Sequence, residues 1–182
     1  MSEHNDAADW PGPPPPYTDT ETWLRFTEKI VRTARCWIWT GAVSDGYGMF
    51  HDARNVDNGR LSPTVRVSRW IWSAYNGELP SWRNVMHECD TPLCVRFDGA
   101  EQHLTPGTQA ENIQQAACRD RITNLGRLGR ADLRGQHQQS LAIRAAMRAA
   151  RAQGITDLDR LAEILASVIS EGNPYAAQEV LF

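Results

Sequence analysis

Residues 87–112 read HECDTPLCVRFDGAEQHLTPGTQAEN, and their spacing, His87-x-Cys89-x4-Cys94-x8-His103-x8-Asn112, decides how the rest of the chain is read. Cys89, Cys94 and His103 are sulfur and nitrogen donors of the kind that suit tetrahedral zinc. His87 and Asn112 remain over, and suit a proton acceptor and a hard oxygen ligand. A structural zinc site is normally closed by four protein ligands, which makes Cys36 the candidate for the fourth. Cys118 falls in a stretch that reads as a helix, where a free thiol is most often a small apolar core residue. His103 stays open at this point between zinc and a second, catalytic metal.

Working outward, Val85–His87 and His103-Leu104 read as two strands, and Thr108 opens a helix that carries Asn112 near its start. Upstream, Cys36–Thr40 and Tyr47–Phe50 read as short strands around the turn Ser44-Asp45-Gly46, with Thr64–Val67 as a third. Arg69–Tyr75 reads as a helix stopped by Asn76-Gly77. Thr18–Ala34 reads as an amphipathic helix, with Thr18 and Glu21 as a capping box and Trp23, Phe26 and Ile30 on its apolar side. The prolines at 11 and 13–16 make residues 1–17 a disordered tail.

Three segments, CWIWTGAVSDGYGMF (36–50), VRVSRWIWSAYNGELP (65–80) and VMHECDTPLCVRFDGAEQHLTPGTQAENI (85–113), resemble the HNH endonucleases of phages and mobile elements. The zinc-ligand spacing is also similar to that of His-Cys box homing endonucleases. The resemblance covers roughly residues 36–121. It implies an α+β fold with a ββα-metal (His-Me finger) core stapled by a structural zinc, and metal-dependent hydrolysis of DNA phosphodiester bonds. Carried over by position, His87 matches the general base and Asn112 the ligand of a divalent cation. Cys36, Cys89, Cys94 and His103 match the zinc ligands. Arg69 matches a guanidinium near the scissile phosphate, with Arg66 in reserve. Mg²⁺ suits the catalytic position because it binds through few protein ligands and keeps its waters. Two departures stand out: VRFDGAEQ separates Cys94 from His103, and Ser68 precedes Arg69 where the family has a histidine. A zinc-stabilised DNA-binding protein without cleavage is the alternative, but such a module has no use for His87 and Asn112.

The 182 residues are 41% hydrophobic and 23% charged, with a net charge of −3. Neither a secretory signal nor a run of membrane-spanning length is present, so the expectation is a protein of the bacterial host cytoplasm that keeps its thiols reduced. The small net charge conceals an arm. From Arg119 to Arg151 eight arginines face two acids, as phosphate contact with double-stranded DNA requires. Arg127, Arg130 and Arg134 are the DNA-contact candidates within it. The expected organisation is a tail (1–17), a nuclease domain (18–121), an Arg- and Gly-containing linker (122–138), a helical accessory segment (139–173) and a flexible end (174–182). Leu141–Gln153 reads as an alanine-rich helix, and Thr156 with Asp159 caps a second. This pair suits a DNA-binding appendage or a hairpin packed on the core or on a second subunit, which leaves a homodimer open. At the end, Gln178, Leu181 and Phe182 resemble the motif with which bacterial proteins dock in the sliding clamp.

Overall fold

The computed structural model describes residues 11–54, 62–98, 102–119 and 132–173, and these form a mixed α+β arrangement of small antiparallel sheets and five helices. Helix α1 (Thr20–Thr27) is capped by Asp19, whose carboxylate accepts from the Thr22 amide at 2.8 Å. Strands β1 (Ile30–Arg32) and β2 (Trp37–Trp39) pair with Ile30 opposite Trp39. Strands β3 (Ala42–Ser44), β4 (Tyr47–His51) and β5 (Thr64–Arg66) form a three-stranded sheet in that order. Helix α2 (Val67–Asn76) ends at Gly77, whose φ of 85° is open to glycine without strain. Strands β6 (Asn84–His87) and β7 (Leu104–Gly107) pair with His87 opposite Leu104 and lead into α3 (Gln109–Cys118). Helices α4 (Gln136–Ala152) and α5 (Leu158–Glu171) close the described chain.

Several expectations are corrected. The helix expected over 18–34 ends at Thr27, because Ile30 and Val31, β-branched and buried, pair with the Trp-Ile-Trp of β2 instead. Its cap is Asp19 rather than Thr18. The strand across the turn from β4 is Ala42–Ser44; Asp45 (φ 50°) and Gly46 (φ 83°) form the two-residue turn between Ser44 and Tyr47. Residues 11–17 of the proline-rich tail are laid against the body. Pro15 is buried, the Tyr17 amide donates to Ala74 O at 3.0 Å, and Trp23 Nε1 donates to Gly12 O at 3.3 Å. Among the described residues no helix is long and apolar enough to cross a membrane.

The core is aromatic. Phe26 lies 4.2 Å from Trp70 and 5.2 Å from both Trp39 and Phe50, with rings stacked, tilted and edge-on in turn. Such pairs contribute roughly 0.5–1.5 kcal/mol each beyond the area they bury. The buried indole N–H groups are paired, Trp39 to Ala42 O at 2.9 Å and Trp70 to Asp52 at 2.8 Å. Burial would push the Asp52 carboxyl up, but hydrogen bonds from Arg54 and Trp70 outweigh it and hold it below its ordinary value.

The C-terminal helices belong to this same core. Ile143, Met147 and Ala150 of α4 and Leu161 and Leu165 of α5 join the cluster that holds Trp39 and Ile38. Polar contacts lock the seam. Ser140 Oγ donates to Gly46 O at 2.7 Å, and Arg151 donates to Glu28 O and Ile30 O at 2.8 and 3.0 Å. The helical pair is thus packed on the core. The second helix is capped by Asp157, not Thr156.

Two glycines make room for the central indole. A Cβ on Gly41 would stand 2.4 Å from Trp39 Cζ2, and one on Gly48 would stand 2.6 Å from both Trp39 Cδ1 and Val67 Cγ2. Gly48→Ala should therefore overpack a fully buried site and lower unfolding free energy by about 1–3 kcal/mol. Chemical denaturation measures this, and wild-type stability would contradict the packing described.

Candidate metal centre

Cys36, Cys89, Cys94 and His103 come together although 67 residues separate the first from the last: their ligand atoms all lie within 4.8 Å of one another. Local backbone geometry delivers each one. Cys36 follows a tight turn in which its amide donates to Thr33 Oγ1 at 2.9 Å and its carbonyl accepts from the Thr33 amide at 2.8 Å. Cys89 and Cys94 flank a turn in which Asp90 takes a φ of 55° and the Cys94 amide donates to Thr91 O at 3.0 Å. The stretch after that turn is tied to β2, since Trp39 N donates to Leu93 O and Val95 N to Trp37 O. His103 directly precedes β7, and its carbonyl accepts from the Glu88 amide at 2.9 Å.

The distances fit a tetrahedral ion. His103 Nδ1 lies 3.5 Å from Cys94 Sγ and 3.7 Å from Cys36 Sγ. Zn–S and Zn–N bonds of about 2.3 and 2.0–2.1 Å imply an S···N edge of about 3.5 Å. The set could therefore hold a metal such as zinc, and His103 sits with the thiols. In the cluster itself protons are divided unequally. Hydrogen bonds from Cys36 and Cys94 hold the Cys89 thiol far below its ordinary range, as a thiolate. Cys36, which donates to Cys89, is pushed up to about 12, and burial pushes Cys94 up as well.

Beside this cluster, His87 ends β6 half-buried, and its Nε2 lies 3.1 Å from the carbonyl oxygen of Cys94. A carbonyl can only accept, so Nε2 carries the proton and the ring's lone pair is on Nδ1. Helix α3 packs against β6. It starts at a full capping box, with the Glu111 amide donating to Thr108 Oγ1 and Glu111 Oε2 accepting from the Thr108 amide. Gln109 Oε1 accepts from Asn84 at the near end of β6 at 2.8 Å. At the far end, Gln115 donates to the Glu88 carboxylate, and Arg119 donates to His87 O, Glu88 O, Asp90 and Glu88 Oε2. Asn112 lies on the same face as Gln115 and Arg119, between these two attachments, and so faces β6. Its own amide makes the helical bond to Thr108 O.

The arginines expected to meet a phosphate fall in different settings. The Arg69 guanidinium donates to Arg83 O at 2.7 Å, to Pro80 O at 2.8 Å and to Leu79 O, so it works on the backbone that leads into β6. Arg66 is exposed and lies 3.9 Å over the Tyr47 ring. Arg134 is held by both Asp132 oxygens and by Val168 O, which makes it a brace for α5 rather than an open cation. Arg127 and Arg130, and Gln178, Leu181 and Phe182 of the clamp-like motif, lie outside the described residues. Cys118, expected in the core, is exposed at the end of α3. Arg119, taken from the sequence as part of a phosphate-binding arm, is instead the tie between α3 and the turn after His87. The acids at 88 and 90 were the available signal.

No protein-family model matches the chain, and no solved structure does. Protein 7.7 of Escherichia phage T7 is similar to it, 37% identical over 87 residues. The alignment covers 47% of this chain and 58% of that protein. The matched region is thus somewhat more than half of the phage protein's length.

Loading the cluster with zinc should release protons near neutral pH, because burial and their thiol neighbours push Cys36 and Cys94 up and the ion takes them as thiolates. Apparent affinity should accordingly fall as pH falls. Calorimetric titrations in buffers of different ionisation enthalpy count those protons; release of none would contradict the distribution. Elemental analysis should find about one Zn²⁺ per chain. Cys94→Ser should lower both metal content and melting temperature, while Cys118→Ser leaves both unchanged.

Proposed function

We propose that the chain is a metal-dependent DNA endonuclease of the HNH type, with β6, β7 and α3 as its ββα-metal unit. The reading is carried by one observation, the His87 Nε2 contact with the Cys94 carbonyl at 3.1 Å. That bond fixes the tautomer in which Nδ1 can take a proton from water, and the same carbonyl stabilises the imidazolium that results. The acceptor is not an arbitrary one. It belongs to a cysteine whose thiol lies in the four-ligand cluster, so whatever holds the thiol also holds the base.

His87 would act as general base toward a water in line with the scissile phosphate. Asn112, on the α3 face turned to β6, would supply the protein oxygen for a hydrated Mg²⁺. That cation, when bound, would offset charge on the phosphate and on the departing 3′ oxygen. Zinc, closed by four protein ligands, would serve to hold the loop between β6 and β7 and would take no part in hydrolysis. Arg69 then acts indirectly, by fixing residues 79–83 ahead of β6. The similarity to a phage protein over 87 residues agrees with a phage setting and says nothing further about activity.

Purified protein should convert supercoiled plasmid to nicked or linear forms with Mg²⁺, and His87→Ala should slow this by about 10²–10⁴-fold while folding persists. Asn112→Ala should raise the Mg²⁺ concentration needed. Cleavage at wild-type rate by either variant would remove the proposed site. Tight DNA binding with no cleavage by the wild type under any divalent cation would favour the binding-protein alternative.

A further inference from the structure

Trp82 is the one tryptophan among the described residues that stands largely in solvent, 63% exposed. A single exposed aromatic is ordinary on a protein surface. Its setting is less so. Trp82 lies in the loop between α2 and β6, and that loop is immobilised from below. Arg69 donates to the carbonyls of Leu79, Pro80 and Arg83, the Arg83 amide donates back to Pro80 O at 3.0 Å, and Leu79 is buried. The fold thus fixes the backbone on both sides of an indole that it does not bury.

The neighbouring side chain adds charge. The Arg83 guanidinium lies 4.9 Å from the Trp82 ring centroid, over one face. With that guanidinium over one face and Trp82 63% exposed, most of the remaining indole is open to solvent. The next residue, Asn84, begins β6 and is bonded to Gln109 at the start of α3, one turn before Asn112. Arg83 directly precedes β6 and His87 ends it an even number of residues on, so a strip along one side of the strand runs from Arg83 through Val85 to His87. Along β6, Arg83 precedes His87 by about 13 Å at about 3.4 Å per residue. That is about four nucleotide steps at the rise of B-DNA.

We infer that Trp82 and Arg83 form a platform for an unpaired base of DNA about four nucleotides from the cleavage position, the indole stacking on the base and the guanidinium meeting a flanking phosphate. The inference rests on the nuclease reading and adds to it a substrate feature: strand sections with an unstacked base. A stacked cation on one ring face and an open second face suit any nucleobase, since every base offers a π-face. Continuity with the strip that ends at His87 favours nucleic acid over a protein partner.

The test uses the full chain carrying His87→Ala, so that substrate survives, without added Mg²⁺. Fluorescence anisotropy compares a single-stranded oligonucleotide, a perfect duplex and a duplex with one unpaired base. Adding Trp82→Ala should weaken binding of the first and third by about fivefold to a hundredfold, the range of one lost base stack, and change the perfect duplex less than twofold. Trp82→Phe should restore most of the loss. Arg83→Gln should reduce the log–log salt slope by about 0.7–0.9. Trp82 is too exposed for its replacement to disturb the core, so a Trp82→Ala protein that binds the single-stranded and unpaired-base DNAs as tightly as its parent overturns the platform and leaves the nuclease reading standing. A parent protein that binds none of them overturns both.

Discussion

Cys94 makes two commitments at once. Its thiol lies 3.5 Å from His103 Nδ1 in the cluster with Cys36 and Cys89, and its carbonyl accepts the His87 Nε2–H at 3.1 Å. Around it the backbone is paired to β2, and the side chain is wholly buried. Every other feature of the candidate site hangs from this residue. β6 ends where His87 meets it, β7 begins just after the histidine that shares its cluster, and α3 is braced by Arg119 against the turn before it. A buried thiolate is costly unless its charge is shared. The hydrogen-bonded arrangement around Cys89 provides that sharing within the protein, and a tetrahedral ion would provide it more completely.

The ligand set was legible in the sequence because few residue types make such ligands and three of the four lie within fifteen positions. Cys36 was legible by a different route, the need for a fourth donor. The helix start at Thr108 and the stop at Gly77 were readable for local reasons, since they depend on bonds within a few residues. The pairing of β1 was not. Ile30 continues the helical spacing of Trp23 and Phe26, and only the distant Trp37–Trp39 makes it a strand. Nor could the arginines be sorted. Carbonyl oxygens carry no sequence signature, so nothing marks Arg69, Arg144 or Arg151 as partners of backbone rather than of phosphate.

Arginine in this fold is largely a joint. Arg54 bridges Asp19 and Asp52, Arg96 reaches the carbonyls of Ala34 and Arg35, Arg134 holds Val168 O, and Arg119 fastens α3. The planar fork that suits phosphate suits paired carbonyls and carboxylates equally well. A count of positive charge therefore overstates what is open to DNA in the described residues. Arg66 and Trp82, which are exposed, with the half-buried Arg83 beside the indole, are better placed.

The seam between α4 and the first two strands also bears on how the chain matures as it is made. All four cluster ligands lie between residues 36 and 103, whereas the helix packed on β1 and β2 brings its apolar groups at 143 and 147, and Leu161 and Leu165 join the same core from further on. On the ribosome the cluster residues emerge some forty residues before their roof does. Between those two moments the aromatic centre has one side unsealed, and cross-linking through an ion would be the main restraint on the emerging half. An ion taken up during synthesis, and not only afterwards, would then raise the share of protein that reaches its closed form.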